Sequence, residues 1–213
     1  GNSSDNEEIT LNMNEMAKKH DYIDLNAYKI SPNEKLLALT IDTSGAELHK
    51  LIVKDIKTGE ILDDHLSNLD GSVEWANDNK TLFYTVLDKA HRSYQLWRHE
   101  LGDEQSDDLL VLQEDDDRFS VGLHRTKSGE FLKMDLESQI TTEVHLLDRN
   151  DPFGEWKLVQ PREQGVEYYV YHHGNYLYQI TNKDAINFKM IRTTLKGGKE
   201  DEIIPNRDKT TLD

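Results

Sequence analysis

Short apolar runs alternate with polar turns along this chain, and the pattern comes back every ~45–50 residues, the spacing of repeated four-strand units. Four segments align as the second strand of such a unit: Leu36–Asp42 (LLALTID), Thr81–Asp88 (TLFYTVLD), Phe131–Glu137 (FLKMDLE) and Tyr176–Asn182 (YLYQITN). Each is followed by a third: Glu47–Lys54, Tyr94–His99, Thr142–Leu147 and Asn187–Arg192. The runs are short, bounded by turn residues and rich in branched and aromatic side chains, which suits strands rather than helices. The pattern predicts an all-β fold, a β-propeller of about four blades, each of four antiparallel strands.

The predicted blades span 24–68, 73–114, 119–160 and 168–205. In the first, Ala27–Ser31 is the inner strand and Glu60–Asp63 the outer edge; in the second, these are Val73–Trp75 and Leu109–Leu112. The turn after each inner strand carries related chemistry: Ser31-Pro-Asn-Glu-Lys35, Asn77-Asp-Asn-Lys80, Lys127-Ser-Gly-Glu130 and, shortened, His173-Gly-Asn175. Pro presets φ, while Asn and Asp bond back to the backbone. A lead segment, 1–23, holds a short helix over 12–20 with Asn14 as its cap. Its residues 1–8 are expected to be a disordered or tag-derived extension, and the start without Met points to a fragment boundary. Residues 206–213 form a polar tail, expected to fray. Nothing marks a strand that closes the ring, and an open stack leaves backbone edges bare. The expectation is therefore part of a larger propeller, or an arc completed by another chain.

Charge narrows the partners. Lys and Arg total 25 against 41 Asp and Glu, a formal charge of -16. Phosphate backbones and anionic membrane surfaces are repelled, so neither nucleic acid nor membrane is an expected partner, whereas a basic ligand is attracted. The chain has no Cys, which removes disulfides and cysteine–zinc sites and fits a reducing, cytoplasmic setting. No apolar run reaches the ~20 residues of a membrane span.

Several segments resemble a known family. Asn12-Met-Asn-Glu-Met-Ala17, Tyr28-Lys-Ile-Ser-Pro-Asn33, Leu37–Leu48, Lys54–Glu60, Leu82-Phe-Tyr-Thr85, Leu96–Gly102, Glu114–Phe119 and Thr181–Phe188 are similar, in order, to the propeller of oligopeptidase B in the prolyl oligopeptidase family of serine peptidases. Asn33 departs from the Asp usual in that turn, with the same turn role. The resemblance implies about four of seven blades that roof an α/β-hydrolase domain, filter substrates by size, and serve cleavage of short peptides after Arg or Lys. The nucleophile of such a domain sits in Gly-x-Ser-x-Gly, a strand-to-helix elbow. Gly71-Ser72 and Ser128-Gly129 lack those flanks, so no residue of this chain is expected to be catalytic, and no cofactor is expected.

The candidate site is the acidic run Glu114, Asp115, Asp116 and Asp117 with Arg118, between the second and third blades. Either it pairs with basic groups of the catalytic domain or steers a basic peptide, or it is a solvated loop. His172 and His173 have no ligand partners at metal spacing, and neighbours in a strand face opposite ways. His99 is expected to be a packed, hydrogen-bonded blade residue rather than a base, and Trp75, Trp97 and Trp156 to be inter-blade core. Two functions remain in view: the gating part of an oligopeptidase-B-like peptidase, or a stand-alone propeller-type module that binds a protein or peptide.

Overall fold

The computed structural model describes residues 9–212. It opens with one helical turn, α1 (Met13–Ala17), capped by Asn12 rather than Asn14: the Asn12 side-chain oxygen accepts from the Glu15 amide at 3.2 Å. The expected extension over residues 1–8 lies outside the described residues.

Fifteen strands follow in chain order: β1 (Asp24–Ile30), β2 (Leu36–Asp42), β3 (His49–Asp55), β4 (Ile61–Trp75), β5 (Thr81–Leu87), β6 (Ser93–Glu100), β7 (Leu109–Gln113), β8 (Ser120–Arg125), β9 (Phe131–Glu137), β10 (Thr142–Asp148), β11 (Lys157–Gln160), β12 (Tyr168–His173), β13 (Tyr176–Thr181), β14 (Lys189–Thr194) and β15 (Asp201–Ile204). All neighbours in the chain pair antiparallel within a sheet, giving one seven-stranded sheet, β1 to β7, and two four-stranded sheets, β8–β11 and β12–β15. The seven-stranded sheet is two blades that share β4, so the arc has four blades.

The sharing of β4 corrects the expected split into an outer strand at 60–63 and a separate inner strand at 73–75. Its first half pairs with β3 and its second with β5, and the register shifts between Leu69 and Val73. The bend lies at Asp70-Gly71. Thr40 donates its hydroxyl to the Gly71 carbonyl at 2.6 Å, and Asn26 donates to that of Asp70. Gly71 has φ of 110°, and a Cβ there would lie 1.8 Å from the Asn26 amide nitrogen. Only glycine fits both demands.

The turns after the inner strands repeat one conformation. Glu34, Asn79, Gly129 and Gly174 each have positive φ at matching places. Side chains close the loops: Asn33 accepts from the Lys35 amide, and Asp78 from the amides of Lys80 and Thr81. The expected frayed tail is instead tied back, since Asn187 donates to the Arg207 carbonyl at 2.8 Å and Leu212 to that of Asn187 at 3.0 Å.

The core lies between blades, because each blade face is apolar and must meet its neighbour. Ala38, Leu51, Val53, Leu66, Val73, Trp75 and Leu82 fill the first seam. Phe83 and Leu96 meet Val121, Leu123 and Met134 across the second, where Trp156 packs edge-on to Phe83 with centroids 5.6 Å apart. Val144 and Leu146 meet Tyr168 and Val170 across the third. Both ends of the arc leave apolar side chains of the inner strand bare. On blade 1 the outward face buries Leu39, 2% exposed, and the Lys54 ammonium there holds the Thr10 carbonyl of the lead segment, but Tyr28 and Ile30 of β1 on the same face are 67% and 48% exposed. On blade 4 the outward face buries Ile180, 7% exposed, and leaves Tyr169 and Tyr171 of β12 at 42% and 52%.

Candidate functional site

The acidic run sits in the connection from β7 to β8, and the fold divides it. Glu114 is buried. One of its carboxylate oxygens accepts from Arg162 at 2.6 Å and the other from the Asp116 amide at 2.9 Å. Arg162 also pairs with Glu143 of β10 at 3.1 Å and lies 4.1 Å over the Phe119 ring. Burial works against the charged form of Glu143, but the Arg162 and His145 hydrogen bonds outweigh it and hold the carboxyl below its usual range. Glu114 therefore fastens the β7–β8 connection to Arg162 and, through it, to Glu143 of blade 3.

Asp116 is claimed by Arg118, which donates Nε and an Nη to its two oxygens at 2.9 and 2.6 Å. That fork holds the Asp116 pKa at about 2. Two carboxylates of the run stay exposed, Asp115, which accepts from the Gln113 amide at 2.7 Å, and Asp117. Asp117 stands at a cleft of about 500 Å³ whose other walls include Phe119, Ile140 and Gln164. Exposed carboxylates beside apolar wall are suited to the methylene stem and charged head of a Lys or Arg side chain.

Residues absent from the sequence expectation shape this loop. Arg92 comes from the β5–β6 turn, paired with Asp88 at 2.9 Å, and donates one Nη to the carbonyls of Glu114, Asp116 and Phe119 at 3.2, 3.1 and 2.7 Å. No local pattern announces it, because its partners lie 22–27 positions away. Arg162 is missed for the same reason, at a separation of 48 from Glu114.

The other candidates fall as expected of packed blade residues. His172 is buried, donates Nε2–H to the Gly174 carbonyl at 2.7 Å and hydrogen-bonds Ser128 through Nδ1 at 2.8 Å, while His173 faces solvent. His99 is fully buried between two aspartates. Trp75 is buried, and Trp97 and Trp156 pack against inter-blade clusters. Among the described residues no group of three or more His, Asp or Glu is arranged to hold a metal ion.

Over residues 1–213 the chain matches the family described as "Prolyl oligopeptidase, N-terminal beta-propeller domain". It belongs to the prolyl oligopeptidase family. Among its relatives, Protease 2 of Moraxella lacunata is 34% identical over 191 residues, covering 89% of this chain and 28% of the relative. Dipeptidyl aminopeptidase BI of Pseudoxanthomonas mexicana is 33% identical and covers 87% and 26%. Among solved structures, oligopeptidase B from Trypanosoma brucei with covalently bound antipain, in a closed form, superposes with a TM-score of 0.88 at 31% identity, over 100% of this chain and 30% of that one. Oligopeptidase B from Leishmania major gives 0.87 at 28% identity, over 93% and 29%. The chain thus spans under a third of the length of these relatives. The resemblance drawn from its motifs holds for the propeller of this prolyl oligopeptidase family member.

Proposed function

We propose that this chain is the access-limiting propeller part of an oligopeptidase-B-like serine endopeptidase, non-catalytic by itself. It gates short Arg- and Lys-containing peptides toward an α/β-hydrolase domain carried elsewhere in the parent protein. One observation carries this: a propeller-family match along the full chain that spans under a third of peptidase relatives. The apolar side chains bare on the outward faces of both end blades, Tyr28 and Ile30 on blade 1 and Tyr169 and Tyr171 on blade 4, support a ring that continues past these four blades, since such patches mark surfaces made to be covered.

Within this reading Asp115 and Asp117 are the charges that meet a partner, and Glu114 and Asp116 are structural. Exposed pairs are each worth about 0–1 kcal/mol. The double change Asp115→Asn with Asp117→Asn in the full-length parent should therefore weaken kcat/KM for a basic peptide by about two- to five-fold at low salt. At high salt the difference should vanish. Asp116→Asn should move stability more than turnover. Equal salt profiles for the double variant and the parent would reduce the loop to a solubility feature.

The test of the reading itself is cleavage of a fluorogenic Arg–Arg peptide by this chain and by the full-length parent, side by side. Activity in the parent alone is the expected result. Activity in neither would favour the stand-alone interaction module.

A further inference from the structure

A buried ionic cluster joins the first two blades far from the acidic run. His99 of β6, 0% exposed, lies between Asp108 (Nδ1 to Oδ1, 2.6 Å) and Asp64 of β4 (Nε2 to Oδ1, 3.1 Å). A carboxylate only accepts, so both contacts are hydrogen bonds only when both ring nitrogens carry protons. The free oxygens are also used: Tyr84 of β5 donates its hydroxyl to Asp108 at 2.7 Å, and the Gly102 amide donates to Asp64 at 2.6 Å. Further along the same loop, Gln105 exchanges hydrogen bonds with the Ser67 backbone of β4 at 3.1 and 3.0 Å. The segment from Gly102 to Asp108 is thus strapped across the outer strand of blade 1 chiefly by side chains. The strands beneath are held by backbone ladders.

We propose that His99 is a proton-operated latch: doubly protonated, it clamps the Gly102–Asp108 loop to the outer strand of blade 1, and loss of one proton releases the loop while the blades stay folded. Once one ring nitrogen is bare, its lone pair faces a buried carboxylate. Asp108 is the partner that can leave, because it lies at the loop's end, whereas Asp64 is fixed inside β4. The charged and titratable groups facing the ring are Asp64 from β4, Asp108 from the loop and Tyr84 from β5. His65 of β4 acts on Asp64 from the exposed side.

The direction follows from these neighbours. Burial alone would lower the imidazole pKa, but the bonds from Asp108 and Asp64 outweigh it and raise it to about 9. A raised histidine contributes fully below its unfolded value of ~6.5 and loses the contribution as pH climbs through the folded value. The latch is closed at neutral pH and opens on the alkaline side.

The chain has no Cys, so a single engineered one reports cleanly. A maleimide nitroxide on Ser106→Cys, exposed in the loop, and a control on Lys127→Cys, exposed on blade 3, are followed by EPR from pH 6 to 10.5. The His99 ring is followed by NMR in the unlabelled chain. The expected result is a ring midpoint near pH 9 and mobilisation at 106 with the same midpoint, while 127 and the far-ultraviolet CD stay constant. Asp108→Asn should move the ring midpoint down by at least one pH unit. Titration of His99 below pH 7 overturns the proposal. So does an immobile label at 106 across the ring transition, or joint loosening of 106 and 127.

Discussion

Replacing Trp75 with alanine is expected to lower the unfolding free energy by about 3–5 kcal/mol, the range for large aromatic truncations in a packed core. Trp75 ends β4 and is 1% exposed. Its indole packs in the seam of blades 1 and 2, and Nε1 donates to the Lys29 carbonyl at 2.9 Å. Its own carbonyl accepts from Arg149 at 3.0 Å. One side chain therefore fills the first seam while its backbone joins the second. Trp75→Phe separates the terms: it keeps much of the apolar volume, loses the indole bond and leaves the Lys29 carbonyl short of a donor, for about 1–2 kcal/mol. Urea denaturation at pH 7 gives both numbers. A loss under 1 kcal/mol for the alanine variant would show that the seam collapses around the void and is not packed as described.

Arg149→Met is expected to cost about 2–4 kcal/mol, from two carbonyls deprived of donors at about 1–3 kcal/mol each, partly offset by relaxation. The guanidinium is buried and donates to the Trp75 carbonyl at 3.0 Å and the Gly129 carbonyl at 2.6 Å, while the Arg149 carbonyl accepts from the Asn77 amide at 2.7 Å. Among the described residues none of its hydrogen-bond partners is a carboxylate. Burial, with the like charge of Arg125, lowers its pKa despite the opposing pull of Glu74. It acts as a fork that binds blade 3 to blade 2 through backbone. Arg149→Lys keeps the charge but presents a compact point donor in place of the fork, so it should recover only part of the loss. Full recovery by lysine in the same denaturation series would assign the effect to charge and not to paired donors.

The strands were readable because their information is local. Leu36–Asp42 and Phe131–Glu137 appear in the structure with the bounds their apolar runs suggest, since Asp42 accepts from the Ser44 amide and Ser138 donates to the Thr141 carbonyl where the runs end. The four matching turns were readable for the same reason. The shared strand β4 was not. Asp63 to Ser72 reads as a punctuated polar stretch, with Asn68 and Gly71 both at positive φ. Its strand character comes from Thr40 and Asn26, which capture the carbonyls at the bend from 31 and 44 positions away.

The acidic run shows the same boundary at the level of function. Composition marks it, and Arg118 takes Asp116 from two positions away, yet the burial of Glu114 depends on Arg162 and the loop's backbone on Arg92, both delivered by other turns. The same holds for His99, which in the sequence is one histidine on an ordinary strand. By itself the sequence determined the all-β repeat, its turns, its acidic balance and its family resemblance, because periodicity and turn chemistry act over a few residues. Only the tertiary structure decided the shared strand, the forks of Arg92, Arg149 and Arg162, the Asp64–His99–Asp108 cluster and the burial of Glu114. Each of these requires groups 9 to 74 positions apart to meet in buried space, where an unmet charge or carbonyl is costly.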